Sequence, residues 1–340
     1  MGLWYRYRPQ VSSSDDHPPD PAADPPAVDP PATEPHFTRP ALRRREVYAK
    51  PLIDGREVRD TPVSRIRARV STLLTSERER EEAALEAGLR SQPGPTRTNT
   101  LAVISPKGGV GKTTSTFLLG NLLAGHLKLR VVAVDANPDF GTLAALAPDS
   151  VRSERSLADV IAERERIHTA AELRPYVSHL PTGLHVLAAP DHAEVMAQMT
   201  PQLYGELLAF LGQLYEVVLL DLGTGITDPI ARFAVERADQ LVVVTTPEWI
   251  TATRVLGALR HLRHDHATLV LNQARKRSAG ELRAVEDRFR EHRLHRRLAL
   301  PYDERLRTML DSGTYALEAL DRSTRVPIKQ LGVAVAEQLV

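Results

Sequence analysis

From residue 100 onward, short apolar runs rich in Val and Leu alternate with longer stretches in which apolar positions recur at helical spacing. The runs are Leu101 to Ser105, Val131 to Asp135, Leu184 to Ala188, Val217 to Asp221, Leu241 to Thr245 and Thr268 to Leu271. Continuous apolar runs of this length belong to strands buried on both faces, and strands separated by helices form a parallel sheet covered on both sides. The pattern predicts an α/β fold built on a doubly wound, mainly parallel sheet. No internal repeat is visible.

The first hundred residues read differently. Between Pro9 and Pro40, prolines are interleaved with Asp15, Asp16, Asp20, Asp24, Asp29 and Glu34. Such a segment has too few large apolar residues to repay the entropy of ordering, so disorder is predicted. Ahead of it stands Leu3-Trp4-Tyr5-Arg6-Tyr7-Arg8, in which aromatics alternate with arginines. That is the composition of an interface anchor for a protein partner, or else of an unattached terminus.

Helical spacing returns at Ser64 to Arg90, where Ile66, Val70, Leu73 and Leu74 share a face. Ser76 with Glu79 makes a capping-box start for a second, highly charged helix through Leu85 and Leu89. Its narrow apolar stripe favours packing on the main domain over a separate module. Gln92 to Asn99 reads as a linker. The chain thus divides into a tail (1–60), a charged helical segment with linker (61–98) and the main domain (99–340).

Composition narrows the chemistry by exclusion. Hydrophobic residues make up 42% and charged residues 26% of 340, an ordinary globular balance, and the net charge of +1 gives no global attraction to nucleic acid or membrane. With no cysteine, disulfides, thiolate metal sites, iron–sulfur clusters and thiol nucleophiles are excluded. The 12 histidines lack metal-ligand spacing.

Met1 to Gln10 is aromatic and basic where a signal peptide needs an apolar run, and no later run reaches spanning length. A cytoplasmic protein is expected. Gly2 is not an acylation site by pattern, since Arg6 stands where Ser or Thr is required. Arg325 to Val340 has no cation after Lys329 and no broad apolar stripe, so it is expected to dock on the core, leaving membrane association only through a partner.

The candidate site is the segment Pro106-Lys107-Gly108-Gly109-Val110-Gly111-Lys112-Thr113-Thr114, which follows a strand and opens a helix through Phe117, Leu118 and Leu122. Glycines let backbone N–H groups curl around phosphate oxygens, and the helix points its positive end at the same anion. Lys112 then reaches the outer phosphates and Thr113 offers a hydroxyl to Mg²⁺. The general G-x-x-x-x-G-K-[ST] pattern asks for a glycine where this chain has Ser105-Pro106, so the loop is a variant.

Lys107 to Thr114 resembles the K-G-G-x-G-K-T-T signature, the deviant Walker A motif, of the MinD/ParA family of P-loop ATPases. The resemblance covers residues 100 to 340, about seven-tenths of the chain. It implies ATP and Mg²⁺ as ligands and an ATP-dependent homodimer, in which Lys107 touches the phosphates of the other subunit. Asp135-Ala136-Asn137-Pro138 stands where the family reads D-x-D-P, so Asp135 is implied as a magnesium-site residue and Asn137 occupies the position of the catalytic acid. Because phosphoryl transfer rests mainly on positioning, the departure predicts slow hydrolysis, with Asp139 a possible substitute.

Asp221, closing the strand Val217 to Leu220, resembles a Walker B carboxylate on Mg²⁺, though a buried Asp there is also able to cap the helix near Asp228. Asn272 is implied against adenine, the backbone near Pro301 in a loop against the base, and Thr246-Pro247-Glu248 at the dimer interface or nucleotide rim. The stretch Asp221, Gly223, Gly225, Asp228, Pro229, with the acidic, proline-rich tail and charged helical segment, is similar to the EspI-type ATPases of type VII secretion loci.

The expected function is a slowly hydrolysing, dimerising ATP switch that regulates or positions a larger assembly. Two alternatives stay open: a DNA partition ATPase and an ATP-bound scaffold that does not hydrolyse. For the first, Arg275 to Arg297 carries nine Lys or Arg against four acids, either a nonspecific DNA face or a solvated, ion-paired surface.

Overall fold

The computed structural model describes residues 77, 79–137, 141–196, 198–223, 228–260, 264, 266–274 and 279–340. The expectations for the tail and its aromatic peptide, the helix through Ile66 to Leu74, the Ser76 cap, Asp139, Gly225 and Arg275 to Arg277 lie outside these residues.

The elements run α1 (residues 79–91), β1 (Asn99–Ile104), α2 (Lys112–His126), β2 (Val131–Ala136), α3 (Leu157–Ala162), α4 (Ala170–Leu173), β3 (Ser178–His179) and β4 (His185–Leu187). They continue α5 (Ala193–Met196), α6 (Pro201–Leu214), β5 (Val217–Leu222), α7 (Pro229–Arg237), β6 (Gln240–Thr245), α8 (Trp249–Leu259), β7 (Ala267–Ala274), α9 (Ala279–Asp287), β8 (Arg296–Pro301), α10 (Glu304–Asp311) and α11 (Arg322–Ala336). Among the described residues, one sheet holds eight strands in the order β3-β4-β2-β5-β1-β6-β7-β8, parallel except for β3 against β4.

The period-2 alternation of each strand divides its apolar residues between two cores. On one face Ala102, Ile104, Val132, Val134, Val218 and Leu220 pack with Leu157, Tyr204, Leu207, Ala234 and Val255 of the helices. On the other, Leu101, Val103, Val131, Ala133, Val217 and Leu219 pack with Phe117, Leu122, Met309, Ile328 and Leu331. Both faces of the central strands are covered, which is why β1, β2, β5 and β6 read as unbroken apolar runs rather than as alternating ones.

Two strands escaped the hydrophobic pattern, for different reasons. β3 is two residues long and adds an antiparallel edge. Pro301, expected in a loop, instead ends β8, whose start is the charged pair Arg296-Arg297. That strand is the last of the sheet order, and arginines on an edge strand are tolerated and protect it from pairing with other chains.

The C-terminal segment docks on the core, as α11 packing against α2 and β8. The approach to α2 is close because Gly332 has no side chain: a Cβ there would lie 1.9 Å from Leu122 Cδ2. Helix α1 packs on the same helix. Leu89 is buried, and Lys329, with a side chain 0% exposed, is held by Glu82 at 2.9 Å and Glu318 at 3.2 Å, and also by Glu86. The backbone N–H of Thr96 donates to the Val340 carbonyl at 3.1 Å, tying the segment before β1 to the chain end.

Candidate nucleotide site

β1 is central, and the chain leaves its carboxyl end into the glycine loop. In a doubly wound sheet, ligands bind in the crevice outside the carboxyl ends of the strands. Register fixes what lies beside the loop: β5 pairs Asp221 with Val103 of β1 on one side and with Asp135 of β2 on the other. Two carboxylates from separate apolar strands are therefore neighbours at the mouth of the crevice.

The loop needs its glycines. Gly111 has φ +95°, the left-handed region, and a Cβ there would meet Asn272 Nδ2 at 2.0 Å. Asn272, nearly buried at the end of β7's apolar run, donates from that nitrogen to the Val110 carbonyl at 2.7 Å. The asparagine thus buttresses the loop directly, a contact its sequence position did not suggest. Helix α2 begins at Lys112 with no side-chain cap and no acidic residue in its first turn, so its orphan N–H groups and dipole are left for an external anion.

The oxygen ligands converge beneath. The Thr113 hydroxyl is hydrogen-bonded to the Asp221 carboxylate, and Thr116 donates to the same carboxylate at 3.4 Å. Asp135 accepts the Leu143 N–H at 2.9 Å and the Asn137 N–H at 3.2 Å. Burial pushes the Asp221 carboxyl up to about 7 and the Asp135 carboxyl up to about 6. For Asp221 the Thr113 bond opposes burial while the charge of Asp135 adds to it. The Lys112 ammonium is lowered by burial, with Asp221 working the other way.

Two desolvated carboxylates and a threonine hydroxyl form a hard oxygen set starved of positive charge, which fits Mg²⁺. The uncapped helix start, the left-handed glycine and Lys112 fit a polyphosphate. Thr113, Asp221 and Asp135 are the residues that would hold the metal. Such a metal would supply charge neutralisation on transferring phosphoryl oxygens, and Lys112 and the loop N–H groups would bind and orient them.

Asp221 is not a helix cap. Asp228 caps α7, accepting from the N–H groups of Ile230 at 2.9 Å and Ala231 at 3.0 Å. Lys107 extends from the loop to α8, where its Nζ donates to Thr251 Oγ1 at 2.7 Å. Pro301 ends β8 opposite Ala274 of β7, at the same end of the sheet as Asn272. Thr246-Pro247-Glu248 leads from β6 into α8, whose first two residues, Trp249 and Ile250, are 65% and 69% exposed.

Residues 101–315 match the CobQ/CobB/MinD/ParA nucleotide binding domain. The chain belongs to that family. Among curated relatives, it is 32% identical over 187 residues to the ESX-1 secretion-associated protein EspI of Mycobacterium tuberculosis, 54% of this chain and 27% of EspI's length. It is 28% identical over 235 residues to the antiactivator FleN of Pseudomonas aeruginosa, 66% of this chain and 80% of FleN. Among solved structures, the septum site-determining protein MinD complexed with Mg-ADP from Pyrococcus horikoshii superposes with a TM-score of 0.55 at 23% identity, covering 70% of this chain and 94% of that one. The family fold thus accounts for the described sheet and its helices, and the family is a nucleotide-binding one. No described helix is long and apolar enough to cross a membrane.

Thr116 and Thr251 are polar contacts of the site that motif reading missed. Thr116 lies one helical turn after Thr113, on the same face, and spacing alone was able to reveal it. Thr251 is 144 positions from Lys107, and nothing local marks it.

Proposed function

We propose that this chain is an ATP-hydrolysing switch that dimerises around its nucleotide and regulates or positions a larger assembly. The observation that carries this is the convergence of Lys112, Thr113, Asp221 and Asp135 at the carboxyl ends of the three neighbouring strands β1, β5 and β2, with Lys107 reaching sideways from the same loop. Two triphosphates brought face to face repel, and a second lysine from each subunit offsets that charge only when ATP is present. The exposed pair Trp249 and Ile250, beside the Lys107 contact, supplies apolar surface for such a face.

Sedimentation or size exclusion with ATP, ADP and no nucleotide tests the reading. A dimer is expected with Mg-ATP alone and is expected to vanish in Lys107→Ala. The tail, residues 1–60, recruits the protein partner in this scheme, so its deletion is expected to leave the dimer intact while severing the chain from the assembly. A dimer that ignores nucleotide sinks the proposal.

Hydrolysis in this reading is slow, because Asn137 stands where the family places a carboxylate and an amide accepts no proton. Asn137→Asp is expected to raise phosphate release by at least about tenfold, the low end of what proton transfer by a positioned side chain contributes being larger still. A wild type that is already the faster enzyme contradicts this. The assembly is taken to be a type VII secretion apparatus, supported by the likeness to EspI and testable by whether disrupting the gene blocks export of that system's substrates.

DNA partition receives less support from the described part of the basic segment, four of whose arginines are engaged within the chain. Arg290 meets Asp287 at 2.8 Å, Arg296 meets Glu337 at 3.2 Å, Arg297 donates to the Phe289 carbonyl at 3.1 Å, and Arg288 lies 3.5 Å over the Trp249 ring. Little binding to plain duplex DNA is expected even at low salt.

A further inference from the structure

Helix α6 carries a buried donor that nothing satisfies. Tyr204 is 0% exposed, and among the described residues its hydroxyl has no hydrogen-bond partner. A buried hydroxyl left unbonded costs free energy, whereas phenylalanine would fill the same space without that cost. The cost is offset only in a state of the chain where the bond is made.

Position narrows the search for its partner. α6 is the crossover that returns the chain from the carboxyl end of β4 to the amino end of β5, so its first turn lies at the carboxyl ends of the strands, beside the nucleotide crevice. Tyr204, in that turn, shares its core with Ala136 and Leu222, the residues that follow Asp135 and Asp221, and with Ala231 of α7. Burial drives its phenol well above the ordinary tyrosine range, and the charges of Asp135 and Asp228 add to the effect. Both carboxylates are close enough to act on the hydroxyl, yet neither is bonded to it.

The two differ in what they lack. Asp135 uses both oxygens, Oδ2 for the Leu143 N–H and Oδ1 for the Asn137 N–H. Asp228 caps α7 with Oδ1 alone, which takes the N–H groups of both Ile230 and Ala231, while its Oδ2 accepts no bond among the described residues. An unpaired buried donor thus faces a carboxylate with an unused oxygen. Asp228 also ends the segment that begins at Asp221, so a shift of Asp221 toward its ligand is transmitted to it. The hydroxyl on the packed helix α6 is the fixed point that Asp228 would meet.

We propose that Tyr204 is a positioning residue whose hydroxyl closes onto Asp228 Oδ2 when Mg-ATP occupies the crevice, holding the segment between Asp221 and α7 in its nucleotide-bound arrangement. This rests on the reading of the crevice as an ATP site. A bond made in one state alone biases the equilibrium toward that state by its own strength, so the hydroxyl contributes to nucleotide affinity without touching nucleotide.

The test uses the full chain and two variants. Tyr204→Phe keeps the ring and loses the hydroxyl; Asp228→Asn keeps a capping oxygen on α7 and exchanges the other for an amide nitrogen that accepts nothing. The readouts are the melting temperature without nucleotide, the Mg-ATP dissociation constant by calorimetry, and the magnetic resonance of tyrosines isotope-labelled at Cζ, where the Tyr204 signal is the one missing from Tyr204→Phe. Tyr204→Phe is expected to melt no lower than wild type without nucleotide and to bind Mg-ATP about tenfold more weakly. The Tyr204 signal is expected to move when Mg-ATP is added to wild type and to stay in place in Asp228→Asn.

Mg-ATP binding by Tyr204→Phe as tight as wild type overturns the proposal, as does a Tyr204 signal indifferent to Mg-ATP. A lower melting temperature of nucleotide-free Tyr204→Phe overturns it too, by showing the hydroxyl bonded already. If Tyr204→Phe fails to fold, weaker Mg-ATP binding in a stable Asp228→Asn supports the proposal, since removing a negative charge beside phosphates would by itself strengthen binding, and unchanged or tighter binding there overturns it. A wild type that binds no Mg-ATP sinks the ATP reading and this inference together, whereas a wild type that binds no better than Tyr204→Phe sinks this inference alone.

Discussion

Replacing the fully buried Lys329 by alanine is expected to destabilise the folded chain by about 2–5 kcal/mol, the cost of emptying the space its stem fills, with the loss of the partner of the largely buried Glu82 added to it. Its ammonium is the centre of an ion network in which Glu82, Glu86 and Glu318 converge, and Glu82 is shared with Arg325. The three carboxylates are close enough to suggest a metal site, but the lysine fills that role. Chemical denaturation of wild type and Lys329→Ala measures the effect, and a loss below about 1 kcal/mol would show that the network relaxes into water. A chain starting at residue 99 lacks Glu82, Glu86 and Leu89, so it is expected to be less stable than one starting at 77.

The same network predicts acid sensitivity. The Arg325 guanidinium, helped by Lys329 and opposed by burial, holds the Glu82 carboxyl down to about 2 from its ordinary 4.5. A carboxylate with a depressed folded-state pKa contributes stability that is complete above about 4.5 and is lost as pH falls toward about 2. Glu82→Gln is expected to lower the melting temperature at neutral pH and to flatten its fall in acid. Parallel melting curves for the two proteins between those limits check the sign.

Replacing Lys112 by alanine is expected to weaken ATP binding by about 100-fold, a charge-assisted contact being worth on the order of 3 kcal/mol at its upper range. Lys112 opens α2, and its ammonium is already lowered by burial in the absence of a phosphate. Removing a half-desolvated cation costs the apo protein little, so the melting temperature without nucleotide should hardly move while the ATP-induced rise in it disappears. Calorimetry with Mg-ATP reads the affinity. An affinity within a few-fold of wild type would place the phosphates elsewhere.

The sequence by itself determined the fold class and marked the glycine loop as the candidate phosphate site, because both are local in code. Val131 to Asp135 and Val217 to Asp221 are apolar on both faces wherever they sit, and Lys107 to Thr114 carries its glycines and lysines in consecutive positions. The docking of Arg325 to Val340 was legible for the same reason, an uninterrupted mixture of apolar residues with no basic face. Asp135 and Asp221 were each visible as the acid closing an apolar strand, but only the β2–β5 register made them neighbours.

Tertiary structure alone decided the contacts between distant residues. The edge strand β8 was hidden because Arg296 and Arg297 break its apolar pattern, and an edge tolerates charge that a central strand does not. Asn272 reaches the loop from 162 positions away and Thr251 reaches Lys107 from 144. Lys329 is a charged residue on an ordinary helix until α1 folds over it and brings acids from 243 and 247 positions earlier. Periodicity encodes which face of an element is buried, whereas the partner waiting on that face is chosen by strand order and helix packing, which no local pattern contains.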